Sequence, residues 1–286
     1  MRLGLASVAA GHRMRTVDEV YGSAFAVYDE FEQELDRSLG PRGFELLFDI
    51  VAELGLEPGS AAVDVGCREA FHCIELARRY GFAVHGVEPV RRHLDGAASA
   101  LRALAVQDPA LAARIRIDEG VAEELPEPDG SVDLIWCRDV LVHVADPEAA
   151  LSEFRRVLRP GGHAVIYQMT ATDWLTAAEA DQLWPVMGIY PASTDPQLFE
   201  VAIVTAGLTV DQCIELQGEW RERSEEDGIA YRSSRQLLHA SRLLRNRRHY
   251  QEKFGTASYE VMLANSLWGI YQMIGKLNPR VYVVSR

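Results

Sequence analysis

The stretch that decides the fold reads Val63-Asp64-Val65-Gly66-Cys67-Arg68-Glu69-Ala70. It begins with a short apolar run, which is typical of a parallel strand buried on both faces. Gly66 then allows a sharp backbone turn and a close approach to a ligand, because glycine has no Cβ. A helix predicted over 70–80 follows, and the free N–H groups at its start can bind a carboxylate or a phosphate. The stretch predicts a strand, a ligand-binding turn and a helix.

Strands and helices alternate beyond this stretch. We predict further strands at 82–87, 115–117, 132–137 and 163–168, and a helix at 147–158. Repeated βα units imply a mostly parallel sheet with helices on both faces. The sequence therefore predicts a doubly wound α/β fold, and ligands bind such sheets beyond the carboxyl ends of the strands.

Helical segments precede and follow this core. Aromatic residues recur at helical spacing between residues 17 and 54, and 39–43 breaks the region into two helices. Two more helices, at 176–188 and 195–206, precede a strand at 209–216, and a terminal strand is predicted at 280–285. We divide the chain into an N-terminal helical lid (1–54), an α/β core (55–217), a helical cap insertion (218–277) and a final core strand (278–286).

The composition is that of an ordinary globular protein with an acidic balance. The 286 residues are 48% hydrophobic and 25% charged, and the formal net charge is −13. Nucleic acid is an unfavourable partner for such a chain, because binding phosphates needs a basic surface. The four cysteines form no CxxC pair, so we expect no metal site and a reducing, cytoplasmic location.

No apolar run approaches the ~20 residues of a membrane span, so we expect a soluble protein. The first ten residues imitate a short signal peptide, but a glycine interrupts their apolar stretch. We interpret the residues before Met14 as a tail, and Met14 itself as an alternative start.

Three downstream segments reinforce the ligand-binding turn. They read GVAEELPEPDGSVDLI over 120–135, CRDVLVHV over 137–144 and FRRVLRPGG over 154–162. In this order the segments resemble the class I S-adenosylmethionine-dependent methyltransferases of the small-molecule branch. The resemblance covers residues 40–168 in strong form and continues weakly to the end of the chain.

The resemblance implies an S-adenosylmethionine site and an antiparallel last strand. Gly66 would lie against the methionine part, and Glu88 would hold the ribose hydroxyls, as its place at the end of the second strand also indicates. Ala122 and Cys137 would offer a backbone N–H and a carbonyl to the adenine. The residues that we assign to the cofactor site are Asp64, Gly66, Cys67, Arg68, Glu88, Pro89, Val121, Ala122, Glu123 and Cys137.

Three positions depart from the family pattern. Arg68 and Ala70 stand where the family usually has glycines, and Val121 stands where it often has an acid that binds the adenine amino group. The Arg68 guanidinium either pairs with the methionine carboxylate or points to solvent. Losing the acid at 121 should cost about 0.5–1.5 kcal/mol of binding free energy, the net value of one hydrogen bond.

Two residues are candidate general bases, should the acceptor have to lose a proton. His143 follows the fourth strand, and an imidazole has an unperturbed pKa of about 6.5; the alternative is a packing histidine. Glu179 lies in the helix after the fifth strand, and its alternative is a solvated helix face. Asp139, one helical turn before His143, would be placed to orient it.

Aromatic and basic residues of the caps suggest the character of the acceptor. We assign Tyr21, Phe25, Tyr28, Trp174 and Trp268 to an apolar acceptor pocket, although such stripes are usually plain core. Basic residues cluster between Arg232 and Lys253. This cluster is either a solvated face or a source of one or two arginines that bind an anionic acceptor, such as a carboxylate or a prenyl diphosphate.

Function in this interpretation is methyl transfer to a small molecule, such as a natural product or another secondary metabolite. A nicotinamide-dependent oxidoreductase is a second hypothesis, which the missing GxGxxG opposes. A protein that keeps the fold without methylating is a third, made credible by Arg68 and Val121. The acceptor and the oligomeric state are left open.

Overall fold

The structure, a computed structural model, describes residues 14–24, 26–228 and 232–286. The chain divides into two compact units at Gly40. Within its described part, the first unit contains a π-helix, Glu19–Ala24, and an α-helix, α1, Tyr28–Leu35. The second unit, which begins at Pro41, contains every strand described below.

The second unit is built on a seven-stranded sheet with the order β3-β2-β1-β4-β5-β7-β6. All neighbouring strands are parallel except β7, which runs antiparallel to both β5 and β6. The strand order reverses between β1 and β4, which is where doubly wound sheets bind ligands. The strands are β1 Ala61–Val65, β2 Ala83–Glu88, β3 Ile115–Glu119, β4 Val132–Arg138, β5 Leu158–Ala171, β6 Thr209–Glu215 and β7 Leu277–Ser285.

The helices of the second unit cover the sheet and follow its strands. A short 3₁₀ helix, Leu141–His143, comes after β4. Before β6 lie α2 Leu46–Glu53, α3 Phe71–Tyr80, α4 Arg91–Gln107, α5 Pro109–Ala112, α6 Pro147–Val157, α7 Ala177–Met187, α8 Pro191–Thr194 and α9 Pro196–Thr205. Between β6 and β7 lie α10 Glu219–Glu226, α11 Ser233–Arg245, α12 Arg247–Phe254 and α13 Thr256–Met273.

The apolar core lies on both faces of the sheet, as the all-apolar central strands predict. Successive side chains of β4 point to opposite faces. Leu134 and Trp136 belong to one buried cluster, and Ile135 and Cys137 belong to the other. Because both faces are buried, the carboxyl edge of the sheet is left as the natural place for a site.

The predicted fold class is confirmed, and so is the antiparallel last strand. The boundary predicted at residue 54 is wrong: α2 belongs to the core unit, because Leu47, Phe48, Ile50 and Val51 are buried within it. The insertion over 218–277 is not a separate unit either. None of the helices in the described ranges has the length and apolarity needed to cross a membrane.

Candidate active site

Gly66 makes the turn after β1 possible. Its φ of +70° lies in the left-handed region that favours glycine. A Cβ built at this position would collide with the side chain of Val140, which follows β4. The backbone of the turn is therefore packed directly against the loop after β4, and no larger residue fits.

Arg68 and Ala70 adopt the conformation that the resemblance assigns to glycines. Their φ angles are +50° and +67°, and Ala70 is the residue before α3. For a residue with a Cβ this conformation costs about 1–2 kcal/mol. The turn thus keeps the backbone path of a glycine-rich loop although two of its residues carry side chains.

Glu88 holds this turn in place from the end of β2. Its Oε2 accepts a hydrogen bond of 2.9 Å from the backbone N–H of Arg68, and its Oε1 accepts one of 2.9 Å from Val90. His93 Nδ1 lies 3.2 Å from the same Oε1. The carboxylate is 3% exposed and lines the main cavity, so it is positioned to accept hydroxyl groups there.

Asp64 and Cys67 support the turn from beneath. The Cys73 thiol donates a hydrogen bond of 3.2 Å to Asp64 Oδ2. Burial raises the pKa of the Asp64 carboxyl to about 7. Cys67 lines the main cavity, but Asp64 is not among the lining residues. Of these two predicted cofactor residues, the structure brings only Cys67 to the cavity surface.

A smaller cavity of about 400 Å³ lies beside the ends of β2 and β3. Pro89 lines it together with Val121, and Pro89 also lines the main cavity. Ala122 and Cys137 are buried, and Glu123 is exposed. The site predicted for the adenine is therefore an open recess next to Glu88, with Val121 at its surface.

The main cavity has a volume of about 1300 Å³ and lies at the carboxyl edge of β1, β2, β4 and β5. Its volume exceeds the ~300–1000 Å³ of a pocket for one drug-sized ligand, so it has room for two. The lining side chains also come from α10 and α13 of the insertion, through Trp220, Arg221, Trp268 and Gln272.

His143 lies in the wall of this cavity, as predicted from its position. Its Nδ1 is 2.9 Å from the carbonyl oxygen of Gly188. Because a carbonyl can only accept, Nδ1 carries the proton, and in the neutral ring Nε2 is left as the acceptor. The Asp139 side chain also lines the cavity, and its Oδ1 is buried without a hydrogen-bond partner in the described structure.

Glu179 has a structural role instead of the predicted catalytic one. It forms a capping box with Thr176 at the start of α7, and it pairs with the ammonium of Lys276. These contacts lower the pKa of its carboxyl to about 2, with Lys276 as the main cause. Glu179 does not line the main cavity, so the assignment as a base is wrong.

The predicted aromatic pocket is only partly assembled. Trp268 lines the cavity and is buried, whereas Trp174 is 71% exposed and lies outside the lining. Tyr21 and Tyr28 belong to the first unit, where their role in a pocket stays a prediction. Phe25 lies outside the described residues. The basic side chains between Arg232 and Lys253 are exposed and none lines the cavity.

Several cavity residues were missed from the sequence, among them His72, Arg138 and Arg221. His72 is surrounded by aromatic rings, among them Trp136 at 5.3 Å. Burial, together with the charges of Arg138 and Arg68, lowers its pKa to about 3, so this imidazole is neutral. Arg138 is the last residue of β4, and its position at a strand end was the one signal that could have identified it.

Known proteins with this arrangement are methyltransferases for the most part. The profile of a methyltransferase domain matches residues 63–166. Methyltransferase GfsG of Streptomyces halstedii is 33% identical over 127 residues, 44% of this chain and 43% of that protein. The 27-O-demethylrifamycin SV methyltransferase of Amycolatopsis mediterranei is 28% identical over 128 residues, 45% of each chain. The chain thus matches less than half of the length of either relative.

Among solved structures, the (4+2)-cyclase SpnF superimposes with a TM-score of 0.63 at 19% identity, covering 88% of this chain and 84% of that one. The structural similarity to SpnF covers more of the chain than residues 63–166, and part of the 218–277 insertion is included in it. Residues 63–166 therefore match a methyltransferase domain, and the rest of the chain lies outside that match.

Proposed function

We propose that this chain transfers the methyl group of S-adenosylmethionine to a small-molecule acceptor that is anionic and partly apolar. One observation carries the proposal: the Gly66 turn and the Glu88 carboxylate lie together at the edge of a cavity with room for a cofactor and a second ligand. Gly66 and Arg68 would face the methionine part, and Glu88 the ribose. The recess at Pro89 and Val121 would receive the adenine.

The protein's contribution is positioning and, where needed, removal of a proton. When bound, S-adenosylmethionine would supply a methyl group already activated by its sulfonium. Alignment of the acceptor then accounts for much of the rate. His143 is the proposed base, because its Nδ1–H donates to Gly188 and holds Nε2 ready to accept a proton from an acceptor hydroxyl or amine.

A natural product or another secondary metabolite is the proposed acceptor class. The 27-O-demethylrifamycin SV methyltransferase of Amycolatopsis mediterranei supports this choice by the acceptor in its name. The cavity supports it as well, because the rings of Phe44, Trp220 and Trp268 line its wall and apolar rings favour an apolar acceptor body.

A protein that has kept the fold without transferring methyl groups is the competing function. The strained Arg68 and Ala70 turn favours it, and SpnF is a cyclase with a similar fold. Fold alone does not decide chemistry, so the two functions have to be separated by experiment.

Calorimetry with S-adenosylhomocysteine and, separately, NADH tests the cofactor. We expect heat of binding with S-adenosylhomocysteine alone. Release of S-adenosylhomocysteine from S-adenosylmethionine is then measured with a panel of hydroxylated aromatic acids and macrolides. If the chain binds S-adenosylhomocysteine but releases none from S-adenosylmethionine with any acceptor of the panel or with a cell extract as the acceptor source, the non-methylating alternative is favoured. Binding of NADH alone would overturn the proposal.

A further inference from the structure

Arg138 projects into the main cavity from the end of β4. Its guanidinium carbon lies 5.8 Å from the ring centre of Phe44, 5.6 Å from that of Tyr167 and 5.5 Å from that of Trp220. Each distance is within the ~6 Å range of a cation–π contact. Three rings from three different parts of the chain thus hold the guanidinium in place without using its N–H donors.

Those donors have no acceptor in the described structure. Arg138 Nε is buried without a hydrogen-bond partner, and no ion pair involves Arg138 among the pairs found in the described ranges. The neighbouring Asp139 does not neutralise it by contact, since Asp139 Oδ1 is also buried and unpartnered. Leaving buried polar groups of this kind unsatisfied costs free energy, so a ligand that supplies an acceptor would recover it.

A second guanidinium group lies near Arg138. Arg221 of α10 lines the same cavity, and its Nε donates a hydrogen bond of 2.6 Å to Gln272 Oε1. Burial is the main cause that lowers the pKa of Arg221; Tyr167 and Asp139 act in the opposite direction, and the positive charge of Arg138 lowers it further. Burial and the charge of Arg138 also keep His72 neutral. The two guanidinium groups together favour an anionic ligand at this end of the cavity.

We propose that Arg138 is the specificity-determining anchor for a carboxylate of the acceptor, with Arg221 as its second cation. This inference rests on the proposed function and names the anion of its acceptor. The ring contacts leave the fork of Arg138 to a ligand, and the neighbouring Asp139 carboxyl disfavours a polyanion such as a diphosphate. A planar carboxylate also matches the fork of a guanidinium. The anchor belongs to the α/β core, and the exposed basic cluster of α11 and α12 takes no part in it.

Calorimetry on the full chain saturated with S-adenosylhomocysteine tests the anchor. The probes are cinnamate, the uncharged cinnamamide of nearly the same shape, and phenyl phosphate. We expect cinnamate to bind about tenfold or more tightly than cinnamamide, as a charge-assisted hydrogen bond requires, and more tightly than phenyl phosphate. Arg138→Met should abolish the preference for cinnamate. The control Arg248→Met, which removes an exposed guanidinium from α12, should keep it.

The outcomes separate this inference from the proposed function. Failure of the wild-type chain to bind S-adenosylhomocysteine would overturn both. Normal cofactor-product binding with equal or undetectable affinities for cinnamate and cinnamamide would overturn the anchor alone, and so would tighter binding of phenyl phosphate. Arg138→Lys is the second variant, for the case in which Arg138→Met does not fold. It keeps the positive charge but loses the planar guanidinium fork. We expect its preference for cinnamate over cinnamamide to be intermediate in size. An undiminished preference in Arg138→Lys would contradict pairing through the fork.

Discussion

At the scale of single residues, Glu88 is the most constrained group of the proposed cofactor site. Its carboxylate ties the Arg68 turn to the start of α4 through two backbone N–H groups. Glu88→Ala should weaken S-adenosylhomocysteine binding more than tenfold, because a charged acceptor contributes about 1.5–3 kcal/mol. Calorimetry measures the change, and the exposed Glu148→Ala on α6 is the control. An unchanged dissociation constant in a folded variant would show that Glu88 only supports the turn.

Ala70 tests the strain in the same turn. Ala70→Gly should raise the free energy of unfolding by about 0.5–1 kcal/mol, since relief of a left-handed alanine exceeds the entropy cost of glycine. Ala77→Gly, in the ordinary helical part of α3, should instead lower it by about 1 kcal/mol. Urea unfolding measures both. Equal losses in the two variants would mean that Ala70 is not strained.

His143 is the residue whose removal should affect transfer without affecting cofactor binding. With an acceptor that must lose a proton, His143→Ala should lower kcat by about 10²–10⁴-fold and leave the dissociation constant of S-adenosylhomocysteine nearly unchanged. Initial rates with an acceptor from the panel above provide the measurement. Wild-type turnover in the variant would assign His143 a packing role.

At the scale of elements, the start of α7 is joined to the residue before β7 by the contact between Glu179 and Lys276. Lys276, together with the hydrogen bonds to Thr176, lowers the pKa of Glu179 from 4.5 to about 2, so the folded state favours the ionised carboxylate. The stabilisation is therefore complete above pH ~4.5 and is lost as the pH falls toward 2.

Glu179→Gln should consequently lower the free energy of unfolding by about 0.5–1 kcal/mol at neutral pH. The difference from the wild-type chain should shrink as the pH falls below 4.5. Urea unfolding at pH 7 and at successively lower pH values measures it. A difference that does not depend on pH would show that the capping geometry, and not the charge, is what Glu179 contributes.

At the scale of the whole molecule, residues from the core and the insertion share one cavity. Trp220 and Arg221 of α10 lie in its wall together with Phe44 and with the ends of β4 and β5. Segments that close over a bound ligand shield it from water and become more ordered when they do so. Hydrogen exchange in peptides over 41–54 and 219–228 should therefore slow when S-adenosylhomocysteine binds.

Peptides over β6, at the far edge of the sheet, are the internal control and should exchange at the same rate with and without ligand. The first unit, predicted to be part of a lid, is measured in the same experiment. Protection of β6 alone, or of no segment, would contradict closure of the insertion over the cavity.

Much of this protein could be predicted from local sequence. The apolar strand before Gly66, the carboxylate at the end of β2 and the motifs after β3 each depend on neighbours within a few residues, so periodicity and turn chemistry determine them. The doubly wound sheet follows from such local patterns, whereas the position of His143 at the site was implied by the family resemblance that the motifs carry. The assignment of Pro89 and Val121 to the cofactor site came from the family resemblance and stays a prediction.

Only the tertiary structure decided which distant side chains meet. Arg138 is local to β4, but the rings that hold it come from Phe44, Tyr167 and Trp220, and the sheet order brings them together. Glu179 was assigned to the site from its place after the fifth strand, and its contact with Lys276, far along the chain, is visible only in the tertiary structure. The helix α2 was assigned to a lid, yet Phe48 stacks on Trp136 of β4 at 5.0 Å. Local periodicity identifies an apolar face but not the surface that it covers, because that surface is assembled from segments remote in sequence.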